Sequence, residues 1–562
     1  MPVEDPGTVK VASLLLGTLA FFGLMVYIGI YTKNWIDSAS DFIVSGREVN
    51  YLIIAAAFAA IGLAGSMVSA VPEFAIAWGV FPAAMYLLAW CAMVIVFGWF
   101  IAPIIRRTGV YTTSEWMEQR FDRRTRIVAA IGSALGIIGV VSAQFVGIGV
   151  ILAEMTDLPY VITSLAILLV TLAYMYLGGL WAVTVNDVVQ IVFGAVAMVA
   201  ITAWLVITFG SPSWLASETP AMVEVWGTGV VEPISLTFNS PFTWFFGWGA
   251  LIIGNQYYWI RLVSARSERG AKRGSVLGGI LTAIFFTVLL ALPGAYALAA
   301  YGPPGEAGYA AGGVFGLLIL EMPPVMDAFV LVAIIAALMS TASTAIIGIV
   351  SILIRDVYEP LVGKASTSDE LMGPSRLFTI GVGVLAWLWA VSWEESAGLM
   401  LALGWSFLGP LVSVILLGLV WRRLTSTGAF LGITAGIVAV IVWQYVPVEQ
   451  FTALEAPLGA YAHETWVSLI VPAIVSIGVS LVTDPPYYGR KHWTPPQRER
   501  SDNGPGGDTS SEPSTDLQEI AVNLAKPWTL SERWNSYVLR RGRENKSFFL
   551  TLLRVNRGES DE

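Results

Sequence analysis

The sequence contains a single cysteine, Cys91, and two histidines, His463 and His492. One thiol makes no disulfide framework and no Cys-based metal site, and two histidines this far apart are not in metal-ligand spacing. Charge is scarce as well. Asp, Glu, Lys and Arg make up 13% of the residues, about half the quarter expected of a soluble chain. A net charge of −9 and a pI near 5.0 argue against nucleic acid as a partner. No G-x-x-x-x-G-K-[S/T] string occurs, and around Gly363-Lys364-Ala365 both the upstream glycine and the hydroxyl are missing. ATP-driven pumping therefore has no site on this chain. Nor do the predicted membrane segments hold a paired acid and base or a metal cluster, which argues against an enzyme.

Apolar bulk is what the chain has in surplus. Of its 562 residues 56% are apolar, and mean hydropathy is +0.71. No globule of this length buries so much apolar area, so the excess faces lipid and the backbone must satisfy its own hydrogen bonds within helices. A helix needs about 20 predominantly apolar residues to cross the hydrocarbon. That window predicts an all-α integral membrane protein with about thirteen transmembrane helices. They fall at 10–31, 51–77, 80–106, 125–155, 159–177, 184–209, 240–263, 275–300, 324–356, 376–395, 398–421, 428–446 and 464–482. The first lacks a small-x-small cleavage site and is too long for a signal-peptide core, so it reads as a retained helix.

Lys and Arg collect in cytoplasmic connections. One connection carries Arg106, Arg107, Arg120, Arg123, Arg124 and Arg126, and another carries Arg261, Arg266, Arg269, Lys272 and Arg273. Two more carry Arg355, Lys364 and Arg376, then Arg422 and Arg423. The alternate connections, 154–160, 210–239, 301–323, 394–397 and 447–463, have neither residue. This pattern puts the N-terminus outside and the C-terminus inside. The chain divides into an N-terminal helix with a cytoplasmic loop (1–50), a transport core (51–421), two peripheral helices (422–482) and a cytoplasmic tail (483–562). In the tail, Pro485-Pro486, Pro495-Pro496 and the Pro/Gly/Ser/Asp-rich stretch 501–516 read as a disordered linker. Segments 517–526 and 531–554 read as short amphipathic helices at the cytoplasmic face.

In hydrocarbon, a backbone carbonyl gives up its helical partner only where it lines a cavity or binds something. Three segments therefore matter. The second contains Ala59-Ala60-Ile61-Gly62-Leu63-Ala64-Gly65-Ser66, then Ser69, Pro72 and Glu73; a helix break and a small-residue packing face fit it equally. The seventh contains Phe246-Gly247-Trp248-Gly249 and then Gly254-Asn255-Gln256. It reads as a second discontinuous helix with a polar lip, a kinked interfacial aromatic belt being the other reading. The ninth contains Ala337-Leu338-Met339-Ser340-Thr341-Ala342-Ser343-Thr344. Its four hydroxyls are costly in lipid unless they bond to carbonyls one turn back or to a ligand. Ser340 and Thr341, adjacent in a helix, can both reach an ion lying just off its axis. Hydroxyls and freed carbonyls suit a weakly held hard cation, which points to Na+ as coupling ion with no other cofactor.

The second and seventh segments lie five apart. A repeat with an odd number of helices enters the membrane from the opposite side the second time, so spans 2–6 and 7–11 form inverted halves. Broken helices at equivalent places in such halves point to a midplane site in a transporter.

Several strings occur in a specific order. They are Asp41-Phe42-Ile43-Val44-Ser45-Gly46-Arg47; Gly109-Val110-Tyr111-Thr112-Thr113-Ser114-Glu115 with Glu118, Arg120 and Phe121; and Gly178-Gly179-Leu180-Trp181-Ala182-Val183 running to Asn186-Asp187-Val188-Val189-Gln190. After them come Met339-Ser340-Thr341-Ala342 leading to Arg355-Asp356, and Trp421-Arg422-Arg423 with Gly428-Ala429 and Gly432. In this order the chain resembles the sodium:solute symporter family, whose members include proline, pantothenate, sugar and choline carriers. The resemblance spans about residues 10–482. It implies a ten-helix inverted repeat of the leucine-transporter type, with one helix before it and two after. It also implies a sodium site formed by the carbonyls of Ala60, Leu63 and Ala337 and the hydroxyls of Ser340 and Thr341. Asp187 matches a family carboxylate associated with cation passage on the inner side; capping the sixth helix together with Asn186 is the other reading.

Candidate substrate contacts are Gly65, Glu73, Gln144, Trp248, Gly249, Gln256 and Trp405. Trp248-Gly249 followed by Gly254 is similar to the proline-carrier pattern, although Ile252 stands where those carriers have a tyrosine. Leu251 stands where sugar carriers have one, which disfavours sugars. No Lys or Arg lies at mid-depth in a candidate cavity helix, whereas Glu73 and Gln144 lie in membrane segments; for Glu73, a solvated place at the outer mouth is the other reading. A small amino acid or related zwitterion is the leading expectation, taken up with Na+ by alternating access across the cell (plasma or inner) membrane. The expected partners are thus Na+, a small solute and the bilayer; the sequence carries no signal for an oligomeric state. Competing readings are a proton-coupled carrier of the same fold, for which Ser340 and Thr341 offer no titratable group, and a membrane sensor acting through a docked partner.

Overall fold

The computed structural model describes residues 8–484 other than 157, 225–227, 230, 232–233, 238, 363–367, 393–396 and 446–462. These all lie in the first of the chain's two units, Met1–Pro486. The linker and amphipathic helices predicted beyond Asp484 lie outside the described residues.

The described residues form helices and turns with no strand among them. The long elements are α1 (Thr8–Lys33), α2 (Tyr51–Gly62), α3 (Gly65–Trp78), α4 (Val80–Phe100), α5 (Arg123–Thr156), α6 (Tyr160–Thr208) and α7 (Gln256–Ser264). They continue with α8 (Glu268–Tyr301), α9 (Met326–Ile352), α10 (Ser368–Val391), α11 (Ala397–Ser406), α12 (Gly409–Val420), α13 (Ser426–Tyr445) and α14 (Glu464–Val482). α9 packs on α1, α5, α6, α2 and α3, and α13 pairs with α14 beside α12. The most apolar stretch at α9 is 100% buried against 22% for α1, so α9 is the axis of the bundle and α1 faces lipid on most of its circumference.

The expected break in the second span is present: 51–62 and 66–78 differ in direction by 47°. The Ala64 N–H bonds to the Ile61 carbonyl at 3.1 Å, and the Met67 N–H bonds to that of Ala64 at 2.9 Å. Neither reaches one residue further back, so the carbonyls of Ala60 and Leu63 lose these helical donors. Gly62 lets the neighbours close on this point; a β-carbon there would lie 2.7 Å from both the Trp90 ring and the Thr282 hydroxyl. The break sits at Leu63–Ala64, while Pro72 lies inside α3.

The seventh span is also discontinuous. A π-helical turn over Thr243–Trp248 passes into a 3₁₀ stretch, Gly249–Gly254. Asn255 is then extended (φ −94°, ψ 115°), and its side chain caps α7 by accepting the Tyr257 N–H at 3.3 Å.

Two predicted boundaries need correction. The spans expected at 159–177 and 184–209 are one helical run, α6, turned at Gly179 (φ 48°, ψ −145°) rather than joined by a loop. Only glycine takes that conformation without strain, and a β-carbon there would lie 2.6 Å from the Phe42 ring. The span expected at 398–421 is the pair α11 and α12, bent by 41°. Pro410, in the first turn of α12, cannot donate the hydrogen bond that would carry α11 onward.

Candidate functional site

α9 runs past the α2–α3 break without a break of its own. Its Ser343 and Thr344 hydroxyls donate back to the Ser340 carbonyl, at 3.1 and 2.9 Å, so half of the hydroxyl run is satisfied within the helix. The other two differ from each other. Ser340 donates to Asp187 Oδ1 at 2.8 Å. Thr341 is 1% exposed, and its hydroxyl has no hydrogen-bond partner. A buried hydroxyl left in that state costs free energy that a ligand can recover. Thr341 lines a cavity together with Ile61, Gly62, Ala64 and Ser66 from the break. Ala60, Leu63, Ala337 and Ser340 are buried as well but do not line this cavity, so of the five expected sodium ligands Thr341 alone faces it.

Asp187 lies within α6, eight residues past the turn at Gly179, and its side chain reaches across the bundle instead of capping its own helix. This overturns the capping reading. Oδ2 is 2.5 Å from an Arg261 guanidinium nitrogen, and the two side chains are 0% and 1% exposed. Arg261 also donates to the hydroxyls of Thr184, at 2.9 Å, and Thr344. Together with the Tyr174 hydroxyl, which donates to the Met339 carbonyl at 3.2 Å, these bonds lock α6, α7 and α9 around Ser340. Ser340 and Thr341 themselves offer no titratable group, but Asp187 touches one of these two expected ion ligands.

The cavity at Thr341 is narrow and adjoins a second one, with which it shares Met67, Trp90 and Trp405. The first is also lined by Gln144, Tyr257 and Tyr258, the second by Tyr86, Trp244, Trp248 and Gly249. Among the described residues neither lining includes Asp, Glu, Lys, Arg or His. The structure thus brings Gln144, Trp248, Gly249 and Trp405 to one place with Thr341. Gly65 lies between the lining residues Ala64 and Ser66.

Gln144 is committed within the protein. Its Oε1 accepts the Ser66 N–H at 3.0 Å, and its Nε2 donates to the Ser66 hydroxyl at 2.9 Å and the Val140 carbonyl at 3.1 Å. It therefore clasps the first turn of α3, whose N–H groups have no intrahelical acceptor.

Gln256 is not with the others. It accepts the Thr113 N–H at 2.8 Å and donates to the Tyr111 carbonyl at 2.9 Å and the Ser351 hydroxyl at 3.0 Å. These bonds fasten α7 and α9 to the connection before α5 and use both N–H donors of the amide. Glu73 does not line the cavity either. It is half-buried near Gly312, whose carbonyl accepts a hydrogen bond from Ser69 at 2.9 Å.

Ser66, Trp90, Tyr257, Tyr258 and Arg261 were not singled out as site residues in the sequence. Trp90, Tyr257 and Tyr258 look like ordinary span aromatics until their neighbours are known. The Gly409-Pro410 pair, not singled out in the sequence, is the local signal that could have marked the α11–α12 bend.

Comparison with known proteins agrees with this architecture. The pattern of the sodium:solute symporter family matches residues 42–436, and the chain belongs to that family. It is a multi-pass membrane transporter, not an enzyme, and couples Na+ to the uptake of a solute. The high-affinity proline transporter of Bacillus subtilis (strain 168) is 25% identical over 451 residues, covering 76% of this chain and 91% of that protein. The sodium/glucose cotransporter of Vibrio parahaemolyticus is 23% identical over 512 residues, covering 83% and 90%. In fold, the chain is similar to a Na+-coupled sialic acid symporter in a substrate-bound outward-open state. The TM-score is 0.73 at 21% identity, over 86% of this chain and 99% of that one. A nucleobase-cation-symport-1 family transporter aligns with a TM-score of 0.50 at 14% identity, over 82% and 98%.

Proposed function

We propose that this symporter carries a small zwitterionic solute, of amino-acid size, inward across the cell membrane. Na+ is its coupling ion, held between the α2–α3 break and α9 by the carbonyls of Ala60, Leu63 and Ala337 with the hydroxyls of Ser340 and Thr341. The observation that carries this reading is the unpartnered Thr341 hydroxyl in a cavity without charged side chains. A cation binds there through neutral oxygens, and the solute brings no net charge that the lining must neutralise. Na+ at the break favours the arrangement that orders the solute site. The coupling is reciprocal, so the solute tightens Na+ by the same factor. The membrane potential adds about 2.3 kcal/mol per charge per 100 mV to the inward drive. No resident cofactor enters the cycle. The proline transporter among the relatives supports an amino-acid-like solute.

The topology belongs to the same proposal. The described residues include nine long apolar helices, or eleven counting each bent pair as a span. Counting the discontinuous seventh span and the two arms of α6 brings the number of crossings to about thirteen. They are arranged as a 5+5 inverted repeat with the N-terminus outside, which the distribution of Lys and Arg supports.

Uptake of labelled proline into proteoliposomes, under an inward Na+ gradient and with K+ in its place, tests the coupling. Because Asp187 touches Ser340, a third arm imposes a proton gradient without Na+. Accumulation driven by protons alone would replace Na+ with H+ in the cycle.

A further inference from the structure

The cavity has two unlike ends. One holds Ser66 and Thr341 beside the freed carbonyls of α2 and the N-terminus of α3. The other is walled by Trp90, Trp248, Trp405, Tyr86 and Tyr258. These rings stand at steep angles to one another: Tyr258 lies at 85° to Trp405, and Tyr86 at 58° to Trp248. Trp248 and Trp405 pack 5.3 Å apart at 32°. Hydrogen-bonding capacity at this end is already partly spent, since the Trp90 indole donates to the Tyr258 hydroxyl at 2.6 Å. At the opposite end Gln144 is spent on Ser66.

We propose that the solute's cationic end is a fully alkylated ammonium, held by the Trp90–Trp248–Trp405 wall, with its carboxylate turned toward Thr341 and the start of α3. This rests on the zwitterion reading above and narrows it. Three features carry it. A cation in this cavity finds no carboxylate among the described lining residues, so its attraction must come from aromatic rings. Indole rings accept no N–H hydrogen bond, so an ammonium bearing N–H groups would leave donors unsatisfied against the Trp90, Trp248 and Trp405 wall, each at a cost of about ten-fold in affinity; an ammonium without N–H groups leaves none. The carboxylate meets the positive end of a half-helix, a coupling cation and a buried hydroxyl with no other partner.

The test is binding of N,N,N-trimethylglycine, N,N-dimethylglycine, N-methylglycine and glycine to the purified full-length chain, each with and without Na+, with proline as a further probe. The series keeps the carboxylate fixed and removes one N–H per step. A sixth probe, 3,3-dimethylbutanoate, keeps the shape of trimethylglycine but replaces the charged nitrogen with carbon. Na+-dependent affinity rising at each methylation, to at least ten-fold over the series, with 3,3-dimethylbutanoate at least ten-fold weaker than trimethylglycine, is the expected result. Trp405→Leu should weaken trimethylglycine by about ten-fold while Trp405→Phe keeps most of it; thermal melting shows that both variants fold. Equal binding of 3,3-dimethylbutanoate, a preference for glycine or proline, or no binding of trimethylglycine overturns the inference. If proline still binds and enters with Na+ in those cases, the zwitterion symporter stands without the alkylated class. If no probe of either kind responds to Na+, both readings fall.

Discussion

Ser340 donates its hydroxyl hydrogen to Asp187 across 2.8 Å, and this separates it from its neighbour Thr341, whose hydroxyl has no partner. Two residues paired by sequence logic as ion ligands thus hold different positions in the fold. Thr341→Ala removes one proposed ligand and disturbs no bond. It should raise the Na+ concentration for half-maximal uptake about ten-fold, the effect of one lost hydrogen-bond-strength contact, without changing the melting temperature. Ser340→Ala should raise the Na+ requirement and also lower the melting temperature, because a buried carboxylate loses a donor. Thr341→Ser should restore the parent behaviour. Na+ titration of uptake, run beside thermal melting, checks all three, and unaltered Na+ dependence in the Ser340→Ala/Thr341→Ala double variant would count heavily against the assigned site.

Asp187 and Arg261 form an ion pair with almost no exposure. Removing one partner leaves the other charge buried and uncompensated, at a cost of about 3–5 kcal/mol, whereas removing both together is often tolerated. Asp187→Asn and Arg261→Gln should each lower the melting temperature, and the combined variant should recover part of the loss. A double variant as damaged as the sum of the singles would show that the pair is not coupled.

The chain's membrane class, the α2–α3 break and the broken seventh span were legible in the sequence because each has a local cause. Apolar runs of span length, glycines at mid-depth and an Asn after Gly254 act on the backbone where they stand. The Asp187–Arg261 pair was not legible. Arg261 sits where the run of inner-face cations begins, and nothing in its neighbourhood says that α6 passes beside it. Gln256 misled for a related reason: an amide at a helix break looks free until Tyr111, Thr113 and Ser351 are seen to bond to it. Long-range partners decide such residues, and a linear pattern does not carry them.

Gln144 holds the break by its grip on Ser66. Replacing it with Leu strands the Ser66 N–H and hydroxyl in a buried place, a cost of about 1–3 kcal/mol for the unsatisfied N–H alone. Because that N–H lies in the first turn of the half-helix next to the proposed ion ligands, Gln144→Leu should raise the Na+ requirement as well as lower the melting temperature. Gln144→Glu, which keeps an acceptor for the N–H, should be milder in melting. Equal losses in the two variants would mean that side-chain volume, not the clasp, is what matters.

His463 is the N-cap of α14: its Nδ1 accepts the Thr465 N–H at 3.2 Å and pairs with the Thr465 hydroxyl at 2.8 Å. An acceptor nitrogen carries no proton. Burial holds the imidazole below its usual 6.5, against the opposing pull of Glu464. The fold therefore binds fewer protons here than the unfolded chain does below about pH 6.5. The stability this group contributes is present above the unfolded value and is lost as pH falls through the lower folded one. An N-cap is worth about 1 kcal/mol, so the melting temperature should drop between pH 7 and 5.5. His463→Asn supplies a capping oxygen with no titration, so it should flatten that part of the profile while matching the parent at pH 7. Melting curves of parent and variant over this range decide the matter, since every other titrating group is common to both, and parallel profiles would remove His463 from the acid response.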